Sequence, residues 1–284
     1  MSKYSVRLSR TSGGGGGFTL IELLVAMGVI AVLAVLTLMS MRGIANDARL
    51  ASATNSVKAA LDNARAMAMK NNTIVLVVFR PRLEGVHKQK QEVDIYTAKW
   101  TGESAFFIDS FGNEKVKDRF VPIPAIVVRT IPAGIKIAAP FYGDNEDDVW
   151  ITQSHLPAID PQAGAGEVRG KLIAVMYGPD GTTITRNSQS DSNQIFVDFN
   201  NDGLQLISGD PNDQASEDDE PFLAMAPFLA VFDDDEAREL KTLEWSNSAQ
   251  GETNYRDELT GPLGYITQFA DRIHFNRYTG VVMK

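Results

Sequence analysis

Cysteine is absent from this 284-residue chain, and histidine is nearly so. Without cysteine the chain has neither a disulfide framework nor a thiol nucleophile, and cysteine usage does not indicate its redox compartment. The three histidines, His87, His155 and His274, are scattered and have no partner at the spacing of a metal site or a catalytic triad. We therefore expect each of them to be a surface or sheet residue.

Basic residues are outnumbered by acidic ones, 27 to 36, and the formal net charge is −9. A chain of this charge lacks the counterion release that drives nucleic-acid binding, so we expect no nucleic-acid partner. Two motifs of enzymes are also missing: the Gly-x-Ser-x-Gly elbow, which presents a serine nucleophile, and the phosphate-binding loop that ends in Gly-Lys-Ser/Thr. We expect no enzymatic activity, and an anchored hydrolase is an alternative without a positive feature.

The N-terminus combines a basic leader with a long apolar run. Residues 1–17 contain no acid and end in five glycines. Their basic residues are Lys3, Arg7 and Arg10. The next 24 residues, Phe18 to Met41, have Glu22 as their only ionisable side chain, and a helix of that length crosses a hydrocarbon core of roughly 30 Å. The basic flank predicts a cytoplasmic N-terminus and a C-terminal part on the other side of the membrane.

The junction Gly17-Phe18-Thr19-Leu20-Ile21-Glu22-Leu23-Leu24-Val25 resembles the class III leader junction of type IV prepilins and type II secretion pseudopilins. The resemblance implies cleavage after Gly17 by prepilin peptidase and N-methylation of Phe18. It also implies that Glu22 pairs with the Phe18 amine of a neighbouring subunit during assembly. Such pairing offsets the cost of a carboxylate in the bilayer, about 2.5–3.5 kcal/mol. Removal of the leader takes three positive charges from a net charge of −9 and leaves −12.

Two simpler interpretations of this region stay open. Glu22 is also suited to the start of any helix, where it interacts favourably with the helix dipole near the wet interface. The apolar segment alone is also compatible with a plain signal anchor that is never processed. That interpretation explains the topology but leaves the glycine before Phe-Thr-Leu-Ile-Glu without a role.

Residues 42–72 predict an amphipathic continuation of the helix. Apolar residues recur there in helical steps and form one stripe. The stripe consists of Ile44, Ala48, Ala51, Val57, Leu61, Ala64 and Ala68. Asn71 and Asn72 are a suitable stop, so we expect one helix of roughly 80 Å from about Phe18 to Lys70.

Residues 73–284 predict a β-rich globular domain, which the topology places in the periplasm. The first strand candidate is Thr73 to Phe79. The others are Glu92–Ala98, Ala105–Ile108, Ile126–Thr130, Gly134–Ala138, Lys171–Tyr177, Gln194–Phe199, Leu204–Ile207, Ala226–Phe232 and Arg272–Asn276. The expected fold class is α+β, with the long helix packed on an antiparallel sheet or two stacked sheets, as in pilins.

The helix ending in Ala-Arg-Ala-Met-Ala, followed by two asparagines and a hydrophobic strand, is similar to the H-type minor pseudopilins of the GspH/FimT group. The segment Tyr177 to Thr182 also looks like that family's strand-to-turn step. Compared with a minimal pseudopilin, the chain has apparent insertions near Phe141–Glu167 and Asp210–Glu220.

A candidate calcium loop begins at Asp198. Asp198, Asn200 and Asp202 supply oxygens at positions one, three and five, and Gly203 is the turning glycine at position six. Position twelve is a glycine, so closure of the cage would need another acid. Asp210, Asp213 and Glu217 are the nearby candidates. We prefer a β-hairpin in which Asn201-Asp202-Gly203 is the turn, and therefore predict no cofactor, with calcium at this loop as the alternative.

Two acidic stretches, 216–220 and 233–236, are typical of solvated loops, and weak cation binding or docking to a basic partner is their alternative interpretation. Residues 272–283 predict a final hairpin.

Together these features favour a non-enzymatic, single-pass subunit of the inner membrane that polymerises into a periplasmic pseudopilus. Its expected partners are other pseudopilins or minor pilins, prepilin peptidase and an inner-membrane assembly platform. The alternatives are a minor pilin of a type IV pilus, acting in assembly priming, adhesion or DNA uptake, and a calcium-dependent binding module on a pilin stem.

Overall fold

The computed structural model describes residues 19–84, 90–108, 112, 114–141, 149–152, 172–185, 193–203, 206, 220–241, 265–276 and 278–283. It divides into two compact units, Met1–Asp47 and Ala48–Lys284. The helices are α1 (Leu20–Asn71), α2 (Asp234–Lys241) and α3 (Tyr265–Phe269). The strands are β1 (Val75–Glu84), β2 (Lys90–Ile108), β3 (Glu114–Pro122), β4 (Arg129–Ile131), β5 (Ile135–Phe141), β6 (Val149–Thr152), β7 (Leu172–Tyr177), β8 (Thr183–Ile184), β9 (Asn193–Val197), β10 (Leu223–Met225), β11 (Phe228–Asp233), β12 (Asp271–Phe275) and β13 (Val282–Met283).

The described part of the first unit is helical from Leu20 onward. Its residues Leu20–Thr37 are long and apolar enough to cross a membrane, and none of them is buried in the structure. Large apolar side chains such as Leu20 and Ile21 are more than two-thirds exposed. An apolar helix without a protein covering is stable where lipid surrounds it, because its backbone groups are satisfied internally.

Within the second unit, α1 buries a stripe of small and aliphatic residues. The buried members are Ala53, Val57, Ala60, Leu61, Ala64 and Ala68. The predicted stripe is confirmed from Val57 onward, but Ile44, Ala48 and Ala51 are exposed, so its first half is wrong. The step of six residues from Ala51 to Val57 breaks the three-or-four spacing of a helix face.

The predicted stop at Asn71 and Asn72 is confirmed by the geometry of the helix end. Asn72 has a left-handed backbone with φ 48°. The N–H of Thr73 donates to the carbonyl oxygen of Ala68 at 3.2 Å. This is the Schellman arrangement, in which a left-handed residue ends the helix and satisfies one of its last carbonyls.

The larger sheet has the strand order β10-β7-β1-β2-β3-β9, with β4 beside β2 and β8 beside β7. The Phe196–Phe222 bridge and the hydrogen bond from Val197 N–H to Pro221 O join β9 to the segment that leads into β10. The two ends of the sheet therefore meet, and we call this closed arrangement the strand ring. All six strands of the order contribute to one enclosed apolar cluster.

Strand β1 is buried on both faces, which explains its unbroken apolar sequence. Leu76 and Val78 point into the ring, while Val75, Val77 and Phe79 pack in a second cluster with the α1 stripe. Successive side chains of a strand point to opposite faces, so a strand between two apolar clusters cannot alternate with polar residues.

The smaller sheet has the order β13-β12-β11-β5-β6 and is antiparallel throughout. Its Ile137, Val231 and Ile273 join the cluster formed by α1 and β1. On its other face, Phe232 packs with Ala237 of α2 and with residues of α3. The α+β fold class with two sheets is thus confirmed.

Several strand predictions need correction. The two candidates Glu92–Ala98 and Ala105–Ile108 are one strand, β2, whose pairing with β3 shifts register between Trp100 and Ser104. Residues 126–128 lie outside the strands, and β4 begins only at Arg129. The larger sheet is mixed, because β10 runs parallel to β7 and β9 parallel to β3.

The predicted hairpin after β9 is wrong where it is described. Strand β9 pairs with β3, and Leu206 is helical rather than extended. The rest of that candidate strand, and most of the two predicted insertions, lie outside the described residues. The final hairpin of β12 and β13 is confirmed by the antiparallel pair His274–Met283.

Candidate functional site

The N-terminal end of α1 is closed by a reciprocal pair, Thr19 and Glu22. The Thr19 backbone N–H and hydroxyl donate to Glu22 Oε2 at 3.0 and 2.9 Å. In return, the Glu22 N–H donates to Thr19 Oγ1 at 3.3 Å. This is a capping box, which satisfies backbone donors that a helix start otherwise leaves open.

The capping box gives Glu22 a partner within its own chain. A carboxylate in the first helical turn also interacts favourably with the positive end of the helix dipole. The arrangement fits the simple interpretation of Glu22 as a helix-start acid, and its pairing with a neighbouring subunit's amine stays a prediction. Gly17 and Phe18, the predicted processing residues, lie outside the described residues.

The acidic loop after β9 is organised by Asp198, whose side chain is fully buried. Its Oδ1 accepts the Asn201 N–H at 2.5 Å, and its Oδ2 accepts the Gly203 N–H at 2.9 Å. Asn201 and Gly203 both have positive φ, 64° and 74°. The carboxylate thus holds a tight turn whose left-handed positions suit asparagine and glycine.

Arg119 of β3 completes this loop. Its Nε and Nη2 lie 2.9 and 2.7 Å from Asp198 Oδ2, and Nη2 donates to Asn201 Oδ1 at 3.0 Å. Its Nη1 forms an ion pair with Glu103 of β2. Burial lowers the pKa of the guanidinium, but the hydrogen bonds to Glu103 and Asp198 outweigh it and raise that pKa, so Arg119 is permanently charged.

Two of the three predicted calcium ligands, Asp198 and Asp202, lie close together. Asn200 Nδ2 donates to Asp202 Oδ2 at 2.8 Å, so these two side chains bind each other, while Asp198 faces Arg119. With Glu220, Asp198 and Asp202 form a set whose carboxylate oxygens lie within 4.8 Å of one another. Glu220 comes from the segment before β10, so the chain supplies a cluster of three acids, with the Arg119 guanidinium bound to one of them.

The other candidate residues have structural roles where they are described. His274 is exposed and its ring stacks on Phe228 at 5.2 Å, in agreement with a sheet residue. Residues 233–236 are not a solvated loop. Asp233 is buried and caps α2 by accepting the N–H groups of Asp235 and Glu236, and Asp234 forms a buried ion pair with Lys136 at 2.9 Å. Three acids in the first turn suit a helix N-terminus.

Two residues of these sites were not predicted from the sequence, Thr19 and Arg119. Thr19 could have been found, because Thr-x-x-Glu before an apolar run is a capping-box signal. Arg119 carried no local signal, since its role depends on the parallel pairing of β3 with β9, which places Phe120 opposite Val197.

A comparison with protein families finds the prokaryotic N-terminal methylation motif at residues 16–38. No curated protein and no solved structure is significantly similar to the chain. The matched segment includes the predicted leader junction, the capping box and the exposed apolar part of α1.

The motif is the type IV pilin-like signal, and it indicates a type IV pilin-like protein, of a pilus or a pseudopilus. In general such a signal implies processing by prepilin peptidase and assembly with other pilins. Together with the apolar helix near the N-terminus, it suggests a single-pass, membrane-anchored protein.

Proposed function

We propose that this chain is a pseudopilin subunit of the periplasmic pseudopilus of a type II secretion system, without enzymatic activity. The observation that carries the proposal is the methylation motif at the start of a 52-residue helix whose first 18 residues are apolar and wholly exposed. A helix of that kind is suited to leave the bilayer and pack against identical or related helices in a filament.

In this proposal the chain is cleaved after Gly17, Phe18 becomes the methylated N-terminus, and the globular part stands in the periplasm. Glu22 exchanges its contacts with Thr19 for the Phe18 amine of the neighbouring subunit. The exchange replaces neutral donors with a cation, which adds a direct attraction between opposite charges in a medium of low dielectric constant.

The choice of a secretion pseudopilus over a pilus is supported by the helix-to-strand junction. The Ala-Arg-Ala-Met-Ala segment at residues 64–68 precedes the Asn71-Asn72 stop, and the buried strand β1 follows within four residues. This junction is similar to that of the H-type minor pseudopilins. A minor pilin of a type IV pilus is the alternative, because the N-terminal helix serves both assemblies.

The first experiment is the N-terminal mass of the full chain from its native membrane, with and without prepilin peptidase. We expect a chain that begins at methylated Phe18 only when the peptidase is present. Retention of residues 1–17, or loss of the apolar segment as well, would refute the assignment.

The second experiment tests assembly through Glu22. We expect Glu22→Gln to be cleaved normally but to be depleted from sheared filaments, because it removes the charge while keeping the shape. Thr37→Val is the matched control: Thr37 lies in the same apolar segment and bonds only to Leu33 O, so its loss should leave assembly intact. Equal incorporation of Glu22→Gln and wild type would contradict the proposed role.

A deletion strain separates the two assemblies. Loss of protein secretion with surface pili intact supports the pseudopilus, and loss of pili with secretion intact supports the minor-pilin alternative. Complementation with the wild-type gene is the control.

A further inference from the structure

The acidic loop at residues 198–203 has the oxygen spacing of a calcium loop, but a protein cation contacts its central carboxylate. Asp198 accepts three hydrogen bonds, from the backbone N–H groups of Asn201 and Gly203 and from Arg119 Nε, and its Oδ2 also lies 2.7 Å from Arg119 Nη2. An ionised carboxylate has about four lone-pair sites. Most of the acceptor capacity of Asp198 is therefore used within the protein.

Arg119 contacts oxygens from three segments, as a coordinated ion does. It binds Asp198 at the end of β9, Asn201 in the loop and Glu103 in β2. Its own carbonyl oxygen accepts a hydrogen bond from Thr101 Oγ1 at 3.1 Å, which fixes β3 against the irregular part of β2. The guanidinium side chain is only 12% exposed, so solvent screens these contacts weakly.

The loop is shaped around the guanidinium. A Cβ at Gly203 would lie 3.4 Å from Arg119 Cζ, so the backbone of the loop packs directly on the guanidinium plane. A divalent cation at Asp198 would have to displace that side chain or share the carboxylate with a permanent positive charge. Both options are unfavourable, because like charges at close range repel strongly in a site with little water.

We propose that Arg119 takes the place of a divalent cation in this loop, so that the loop and its junction with β2 and β3 are ordered without calcium. Of the acidic cluster formed by Asp198, Asp202 and Glu220, Arg119 contacts Asp198, whose side chain is fully buried. A subunit built in this way keeps the same stability whether calcium around it is scarce or abundant.

The test measures the melting temperature of the full chain in detergent under two conditions, excess chelator and about 5 mM calcium. This calcium concentration exceeds the dissociation constants of about 0.1–1 mM that are typical of extracellular calcium modules. We expect the two wild-type values to agree. We expect Arg119→Gln to lower the melting temperature by about 10 °C, because it leaves a buried charge uncompensated. Calcium should restore about half of that loss, since Asp198 then lacks the cation beside it.

Glu103→Gln is the matched control. It removes a partner of the same guanidinium, but Glu103 is half exposed, so its loss should change the melting temperature by no more than about 2 °C and give no calcium response. If Arg119→Gln does not fold, its recovery on refolding in calcium supports the proposal and failure to recover overturns it.

Two results overturn the inference. One is a wild-type melting temperature that rises with calcium and loses that rise in Asp198→Asn, since the loop would then bind the ion beside Arg119. The other is a folded Arg119→Gln that stays indifferent to calcium, which would make the acidic cluster unrelated to a cation site.

Discussion

Gly280 lies where the C-terminal hairpin meets the turn between β7 and β8, and its replacement by alanine tests that junction. A Cβ at Gly280 would lie 1.9 Å from the carbonyl oxygen of Gly181. Real Cβ contacts stay above 3.0 Å, so one of the two backbones must move by about 1.1 Å. Gly280 also has φ +66°, a conformation that costs an L-residue roughly 1–2 kcal/mol.

The Gly181 backbone cannot move freely, because Arg65 of α1 holds it. Arg65 Nε donates to Gly181 O at 3.2 Å and to Thr279 O at 2.8 Å, so one side chain ties the helix to both turns. Displacement of packed groups costs about 1–3 kcal/mol. Added to the backbone strain, this predicts a loss of about 2–5 kcal/mol for Gly280→Ala.

The matched control is Gly102→Ala. Gly102 has a similar φ of +86°, but nothing lies within 4 Å of its Cβ position, so only the backbone strain applies. The two variants share the backbone strain and differ by the displacement cost of about 1–3 kcal/mol. Thermal unfolding of the full chain in detergent, followed by circular dichroism, should therefore show Gly280→Ala melting about 2–12 °C below Gly102→Ala, at roughly 2–4 °C per kcal/mol. Equal melting temperatures would refute the close contact between the two turns.

Two further predictions concern the α1 stripe and the β7–β8 turn. Ala64→Leu should lower the melting temperature, because Ala64 is fully buried and overpacking costs about 1–3 kcal/mol. Ala51→Leu, on the exposed side of the same helix, should change the free energy of unfolding by no more than about 0.5 kcal/mol. Hydrogen bonds from the Thr182 hydroxyl and N–H lower the pKa of Asp180 below its ordinary value of 3.8. Any stability that the ionised Asp180 contributes is therefore present above pH 3.8 and is lost as the pH falls through the lowered pKa. An NMR titration should show the pKa rising toward 3.8 in Thr182→Val.

Each of these has a result that contradicts it. Equal losses of unfolding free energy from Ala51→Leu and Ala64→Leu would mean that α1 does not bury Ala64 in preference to Ala51. An Asp180 pKa unchanged by Thr182→Val would remove the hydroxyl as a cause of the shift.

The sequence predicts local features well and long-range pairing poorly, for physical reasons. The end of α1 at Asn72 depends on the conformational tolerance of asparagine, and the apolar span depends on length and composition, so both can be read from neighbouring residues. The face of α1 that is buried could be read only from Val57 onward, because the spacing of apolar residues loses helical phase at Ala51.

The strand ring was not predictable from local pattern. Strands β3 and β9 are separated by about 70 residues, and their parallel pairing follows from packing rather than from any turn signal between them. The same holds for the candidate site: Asp198 stands out in the sequence, but its cation, Arg119, is placed beside it only by that pairing.

The closure of the strand ring bears on how subunits could aggregate. Open sheet edges present unpaired N–H and C=O groups on which another chain can add a strand, and this is a common route to unwanted association. In the ring, β9 meets the segment leading into β10 through Phe196 and Phe222, so these two outer strands cover each other. If the chain assembles as proposed, this closure is an advantage, because β9 and β10 of the larger sheet do not offer an open edge to another copy.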